Sequence, residues 1–193
     1  MSKSPTRDQD AQDLIGRASA LFTAAPENPQ ASFRYPVLAT IGRDGSPNGR
    51  VLVLRTANAV NWQATLHTDS RSEKVAELTE NSMAMLVFYD HEAGLQMRLK
   101  GIMGRMADTP EKKAVWQALP VTNRPNYHSS LPTGSEISGA DGNTIQPDSQ
   151  SGYENFDVLH FTAETVDILQ LTRAGNRRYR LDILNETGAW LVP

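Results

Sequence analysis
The sequence predicts a mainly β, α+β fold: an antiparallel barrel of about six to eight strands with peripheral helices. Three observations carry this expectation. Short runs rich in β-branched and large apolar residues recur along the chain, as in Arg50–Thr56 (RVLVLRT) and Met83–Tyr89 (MAMLVFY). Turn signals such as Asp44-Gly45 and Asn58–Asn61 separate them. No regular strand–helix–strand alternation is visible, which disfavours a parallel, doubly wound sheet. With 193 residues, 39% of them hydrophobic, the chain is long enough for one domain with a real core. Residues 1–30 read as a helical arm and residues 31–193 as a single domain.

The arm is helical because Ala11, Leu14, Ile15, Ala18, Leu21 and Phe22 fall at the spacing of one helix face. Thr6 and Gln9 have capping-box spacing at its start, and Pro26 and Pro29 lie beyond its end. Strands follow over Val37–Gly42, over Arg50–Thr56 as one continuous run, and over Trp62–Thr68. Ser70 with Glu73 forms a second capping box, opening a helix with Val75 and Leu78 on its buried side. Met83–Tyr89 and Gln96–Met106 are two more strands joined by an Asp90–Gly94 turn, and Pro110 opens a helix containing Trp116 and Leu119. Val121–Glu154 is rich in Ser, Gly, Pro and Asn without periodicity, and reads as a long polar loop, either a lid or an insertion. Val158–Thr162, Thr165–Thr172, Tyr179–Leu184 and Ala189–Val192 complete the strands. Trp62, Trp116 and Trp190 read as core or dimer packing, and Met83, Met85, Met97 and Met103 as core.

Much chemistry is excluded. The chain has no cysteine, so disulfides, thiolate metal sites and iron–sulfur clusters are ruled out. His67, His91, His128 and His160 are scattered, which argues against a metal site, and no nucleophile elbow, P-loop or GxGxxG is present. A net charge of −3 argues against a nucleic-acid partner. No apolar run is long enough to span a bilayer, and the polar start MSKSPTRDQDAQD is unlike a signal peptide. The expected setting is the cytoplasm, with no nucleic-acid or membrane partner.

The informative stretch runs from Arg50 to Lys100. Arg50 and Arg55 bracket the apolar tetrad Val51–Leu54. His67–Lys74 (HTDSRSEK) leads into a helix whose first-turn N–H groups form an anion site, with hydroxyls and Arg71 or Lys74 as further donors. Gln96, Arg98 and Lys100 alternate with Met97 and Leu99, giving one polar, cationic strand face. By spacing alone two readings stand: one anionic, partly aromatic ligand held in a groove, or a capped helix with solvated rim charges.

Taken together, Phe33–Met106 resembles the pyridoxamine 5′-phosphate oxidase superfamily of FMN-binding split β-barrels, with weaker similarity continuing to Pro193. The family pattern of an Asp-Gly turn, R-x-V-L-L-K, Y-T-N-x-x-S-R-K and Q-V-R-x-x-G appears here as Arg43–Pro47, Arg50–Arg55, His67–Lys74 and Gln96–Gly101. The resemblance implies a homodimer with FMN between the subunits. Arg50 and Lys74 would hold the phosphate with Ser72 and Thr68. Arg55 and the backbone of Val51, Leu52, Val53 and Leu54 would flank the isoalloxazine, and Gln96 would bond its polar edge. His67 stands where the family has Tyr, and Arg180 roughly matches a flavin-contacting Arg.

On the substrate side the resemblance implies Arg124 with Ser129, Arg177, and Tyr179 in place of a family His; no catalytic residue is assigned. Further departures are Glu73 for a phosphate-binding Arg (Arg71 is the nearest substitute), Arg55 for Lys, and Leu169 for a C-terminal Trp. The cofactor half is better kept than the substrate half. The implied function is that of an FMN-dependent oxidoreductase with an unassigned substrate; a flavin reductase and a non-catalytic flavin-binding or sensing module are the alternatives.

Overall fold
The computed structural model describes residues 7–140 and 149–193. Four α-helices occur among them: α1 (Arg7–Ala24), α2 (Glu73–Glu80), α3 (Pro110–Ala118) and α4 (Ser149–Asn155). Nine strands, more than the expected six to eight, form one antiparallel sheet. They are β1 (Val37–Ile41), β2 (Pro47–Val51), β3 (Leu54–Asn58), β4 (Gln63–Asp69), β5 (Met83–Asp90), β6 (Leu95–Arg105), β7 (Phe156–Gln170), β8 (Arg177–Asp182) and β9 (Thr187–Leu191).

The strands run β2-β1-β5-β6-β7-β4-β3, with β8 and β9 branching from β7. β2 and β3 therefore sit at opposite ends of this path, yet only Leu52 and Val53 separate them in sequence. Three Cα–Cα steps reach at most about 11 Å, so the sheet curls until its two edges nearly meet. No ladder joins β2 to β3 among the described residues, and the sheet stays open.

That crossing corrects the continuous strand expected over Arg50–Thr56. The chain leaves β2 where the Leu52 N–H donates to the Pro36 carbonyl at 3.0 Å, then re-enters the sheet at its other edge. The reverse happens near the C-terminus, where two expected strands are the single 15-residue β7. A bulge there skips Glu164, so that Gly101 faces Ala163 and Lys100 faces Thr165. A Cβ on Gly101 would lie 2.0 Å from the Thr162 carbonyl oxygen, so this approach needs glycine. The first half of β7 pairs with β4 and the second half with β8.

The α1 stripe behaves as its spacing predicts: Leu14, Ala18 and Phe22 enter the main core with Leu38, Leu86, Phe88, Met97, Leu99 and Phe161. Phe22 stacks on Trp62 at 6.0 Å. A second cluster of Trp116, Leu119, Tyr127, Phe156 and Val158 lies under α3 and α4. Met97 and Met103 are buried as expected, but the core expectation fails for Met83 and Met85, which alternate with buried Ala84 and Leu86 and so belong to the sheet's other face. Trp190 is half-buried against Tyr179.

The expected Ser70 capping box is not formed. α2 starts three residues later, with Ser72 at the N-cap, while the Ser70 N–H donates to the Asn155 carbonyl at 2.7 Å. The polar segment expected to be a loop carries a 3₁₀ turn over Val121–Tyr127 and α4 at its end. Thr6 and residues 141–148 lie outside the described residues. No described helix is long and apolar enough to cross a membrane.

Candidate functional site
The site is built where β1, β2, β4 and the start of α2 converge. Antiparallel pairing sets Arg50 opposite Leu38 and Asn48 opposite Thr40, so both polar side chains share the core-facing side with Leu38. α2 crosses this end of the sheet and inserts Glu77, whose side chain is fully buried. Glu77 Oε1 accepts from Asn48 Nδ2 at 2.7 Å. Its Oε2 accepts from Thr40 Oγ1 at 2.6 Å and from Arg50 Nη2 at 3.0 Å. Arg50 Nη1 also donates to Thr40 Oγ1. Burial alone would raise the Glu77 pKa, but these bonds and the Arg50 charge hold it below the usual carboxylate range.

Lys74 lies three residues before Glu77, on the same side of α2. Its ammonium donates to Thr68 Oγ1 at 3.2 Å, and the Thr68 and Ser72 hydroxyls are 3.3 Å apart. Burial, followed by the Arg50 charge, pushes the Lys74 pKa down despite Asp69, Glu77 and Glu73. Two cations, two hydroxyls and a helix N-terminus thus converge. Such a like-charged pair is unfavourable alone, and an anion between its members removes the repulsion.

Arg55 and His67 form a second group. Leu54 pairs with Leu66 and Thr56 with Thr65, so Arg55 is the extra residue of a β-bulge, the device that re-aims a side chain out of the ladder. Among the described residues, Arg55 Nε and His67 Nδ1 are buried without a hydrogen-bond partner. Burial, then the Arg55 charge, lowers the His67 pKa to about 4, and burial lowers that of Arg55. The His67 ring meets Phe156 edge-on at 5.0 Å. Tyr127, also buried, acts electrostatically on Arg55.

On the outer face of the sheet, Gln96, Arg98 and Lys100 alternate with buried Leu95, Met97 and Leu99 as expected. One cross-strand row runs Tyr89–Gln96–Leu169–Arg178, and the next runs Val51–Val37–Val87–Arg98–Asp167–Arg180. Asp167 accepts from Arg98 at 2.8 Å and from Arg178 at 2.8 Å, while Arg180 is exposed. Arg177 turns to the opposite face, donating to Gln170 Oε1 at 2.7 Å and Asp10 Oδ1 at 3.4 Å. Tyr179 also faces inward and meets Trp190 at 5.1 Å.

The structure therefore brings together Arg50, Thr68, Ser72 and Lys74. Arg55 and His67 form a neighbouring pair, and Leu52 and Val53 cross between the sheet edges from Val51 at the end of β2 to Leu54 at the start of β3. Gln96 and Arg180 lie on the opposite face from Arg50. Arg124 lies elsewhere again, with its guanidinium 5.6 Å from the Trp116 ring and Nη2 donating to the Gln117 carbonyl. Arg71 does not stand in for the missing phosphate Arg: its backbone N–H, Nε and Nη2 all bind Asp69, and Nη2 also reaches the Ser129 carbonyl at 3.1 Å.

Residues 18–106 match the family model described as pyridoxamine 5′-phosphate oxidase, FMN-binding domain. Over this stretch the chain is similar to that FMN-binding family. A pyridoxine/pyridoxamine 5′-phosphate oxidase of Cupriavidus metallidurans is 31% identical over 114 residues, which are 59% of this chain and 52% of that protein. A protein of Arabidopsis thaliana, pyridoxine/pyridoxamine 5′-phosphate oxidase 2, is 28% identical over 78% of this chain and 81% of its own. The chain spans about half the length of the bacterial relatives it matches. Among solved structures, a pyridoxamine 5′-phosphate oxidase-related, FMN binding protein of Nostoc punctiforme shares the fold, with TM-score 0.68, 24% identity and full coverage of both chains. PhzG of Burkholderia lata, in complex with tetrahydrophenazine-1-carboxylic acid, shares it with TM-score 0.70 and 17% identity, over 100% of this chain and 95% of its own.

Against this family's cofactor the donor set fits. A phosphate monoester requires clustered cations and hydroxyls; Arg50, Lys74 and Thr68 supply them, while the Ser72 hydroxyl donates to the Asp69 carbonyl at 2.7 Å and braces the same turn. The unpartnered Arg55 Nε and His67 Nδ1 are polar atoms that a flavin edge could satisfy. Sequence reasoning missed Thr40, Asn48 and Glu77. Their only local traces are the alternation of Asn48 with Arg50 and the three-residue step from Lys74 to Glu77.

Proposed function
We propose that this chain is an FMN-dependent oxidoreductase acting as a homodimer of split β-barrels, with one flavin in each of two grooves between subunits. The observation that carries this reading is the Arg50–Lys74 pair, two half-buried cations held side by side with the Thr68 and Ser72 hydroxyls between strand and helix. The FMN phosphate would rest there. Arg55, His67 and the backbone of residues 51–54 would flank the ring system. Gln96 and Arg180, on the other face of the sheet, would serve the flavin of the second copy. Exposed Val37, Ile41, Val51 and Tyr89 on that outer face support self-association.

When bound, the flavin supplies the two-electron acceptor for a hydride. The chain's own residues bind and orient it, keep water from its ring, and place the Arg55 cation where a reduced, anionic ring would gain stability. His67, neutral at pH 7, adds no second charge. On the substrate side, Arg178 shares the Gln96 face and Arg177 does not. The substrate Arg is therefore better assigned to Arg178 than to Arg177 or Tyr179, with Arg124 a separate candidate. The relatives' names make vitamin B6 phosphates the first substrates to try.

The test is an absorption spectrum of the purified protein, with and without added FMN. Visible flavin bands retained after desalting are expected. A colourless protein even after FMN is supplied would overturn the reading. Anaerobic bleaching with pyridoxamine phosphate, pyridoxine phosphate or a reduced nicotinamide then separates oxidase from reductase, and protein inert to all three is a binding module.

A further inference from the structure
Glu77 carries the most deeply buried charge beside the phosphate cradle, yet it touches no position that the FMN reading uses except Arg50. An ionised carboxylate with no exposed side-chain surface is costly unless every oxygen is bonded, and here both are. The donors come from two strands: Thr40 on β1, and Asn48 and Arg50 on β2. Among the described residues β2 is an edge strand paired only with β1, so no neighbouring strand there constrains Arg50 from its far side. Lys74, the other cation, rides on the same helix as Glu77. One carboxylate thus ties the strand-borne cation to the helix that bears its partner.

We propose that Glu77 is the positioning residue of the cradle, fixing the Arg50 guanidinium so that a phosphate monoester meets a preset Arg50–Lys74 pair. It holds Nη2 while Thr40 holds Nη1, and the geometry of both bonds sets the plane in which Arg50 presents its remaining N–H groups. Preset donors bind more tightly because less side-chain freedom is lost on binding.

Charge alone argues for the opposite effect. A carboxylate this close to two phosphate-binding cations repels a dianion, so deleting its charge without loss of position would tighten binding. The sign of the change in affinity therefore decides. The proposal rests on the FMN-phosphate reading, and the experiment keeps the two apart.

FMN is titrated into wild type, Glu77→Gln, Arg50→Met and the double variant, reading flavin fluorescence, with a thermal melt of each. Wild type binds, and Glu77→Gln is expected to weaken FMN by about tenfold, the scale of one charge-assisted hydrogen bond. In the Arg50→Met background the same change is expected to cost less than about twofold, because a positioning residue has nothing left to position. Unchanged or tighter binding by Glu77→Gln overturns the proposal. An equal loss in both backgrounds overturns it too, because that is general damage to the fold. If wild type binds no FMN, the FMN reading falls and takes this one with it. Should a Glu77 or Arg50 variant fail to melt cooperatively, Thr40→Val replaces it. That variant removes the hydroxyl joining Arg50 to Glu77, and it is expected to weaken FMN by about threefold or more; no loss overturns the proposal.

Discussion
Replacing Lys74 by Met separates what the site does for the apoprotein from what it does for a ligand. In the folded chain the ammonium is half-buried, sits beside Arg50 and donates to Thr68 Oγ1 at 3.2 Å. Burial and the neighbouring cation lower its pKa from 10.5, so the unfolded chain holds the Lys74 proton more tightly than the folded one. Stability therefore rises with pH across the window between the lowered pKa and 10.5, and the penalty is fully present below that window. Met removes the penalty. Against it stands one lost hydrogen bond to a hydroxyl, worth about 1 kcal/mol. The apoprotein should be as stable as wild type, or more so, at neutral pH, with any advantage fading as pH climbs toward 10.5. FMN binding should move the other way, losing one charged contact to a dianion. That is about 1.5–3 kcal/mol, or about 10- to 150-fold in Kd. Fluorescence titration of the apoprotein and thermal melts at neutral and alkaline pH measure both. A destabilised apoprotein with unchanged FMN affinity would show that Lys74 is structural and that the cradle lies elsewhere.

Three further outcomes follow from the same geometry. The His67 pKa is about 4 folded against 6.5 unfolded, so its contribution is complete above 6.5 and is lost as pH falls through that window. The loss amounts to about 3 kcal/mol below pH 4, and His67→Gln should flatten the acid limb of a stability–pH curve; identical limbs would mean that His67 is solvated. Gly101→Ala should lower stability by about 2–3 kcal/mol or more in chemical denaturation, since its Cβ meets the Thr162 carbonyl at 2.0 Å. An unchanged midpoint would mean that the two strands do not approach so closely. Val51→Glu, on the exposed outer face, should shift sedimentation from dimer to monomer while the protein still melts cooperatively; a persisting dimer would assign the interface to another face.

What was legible in the sequence was local. The α1 stripe from Leu14 to Phe22, the alternation along β6 and the Asp44-Gly45 turn, where Gly45 takes φ +81°, are each specified by residues within a few positions of one another. The grouping of hydroxyls and a cation within His67–Lys74 was legible for the same reason, since a helix start and its hydroxyls are contiguous. The family motifs singled out Arg50 and Lys74, and the fold brings those two cations near each other.

Tertiary structure decided the rest. RVLVLRT has the composition of one strand, but it joins the two edges of a curled sheet, and nothing inside those seven residues encodes where each edge finds its partner. The bulge that sets Arg55 apart depends on pairing with β4, and the faces of Arg177 and Arg178 depend on the register of β8 on β7. A shift of one residue there exchanges the two faces. Glu77 reads as one more charge on a short helix until packing brings it to Arg50, 27 positions away in sequence. Its role comes from burial and long-range pairing, whose energies depend on which distant side chains share a volume from which water is excluded.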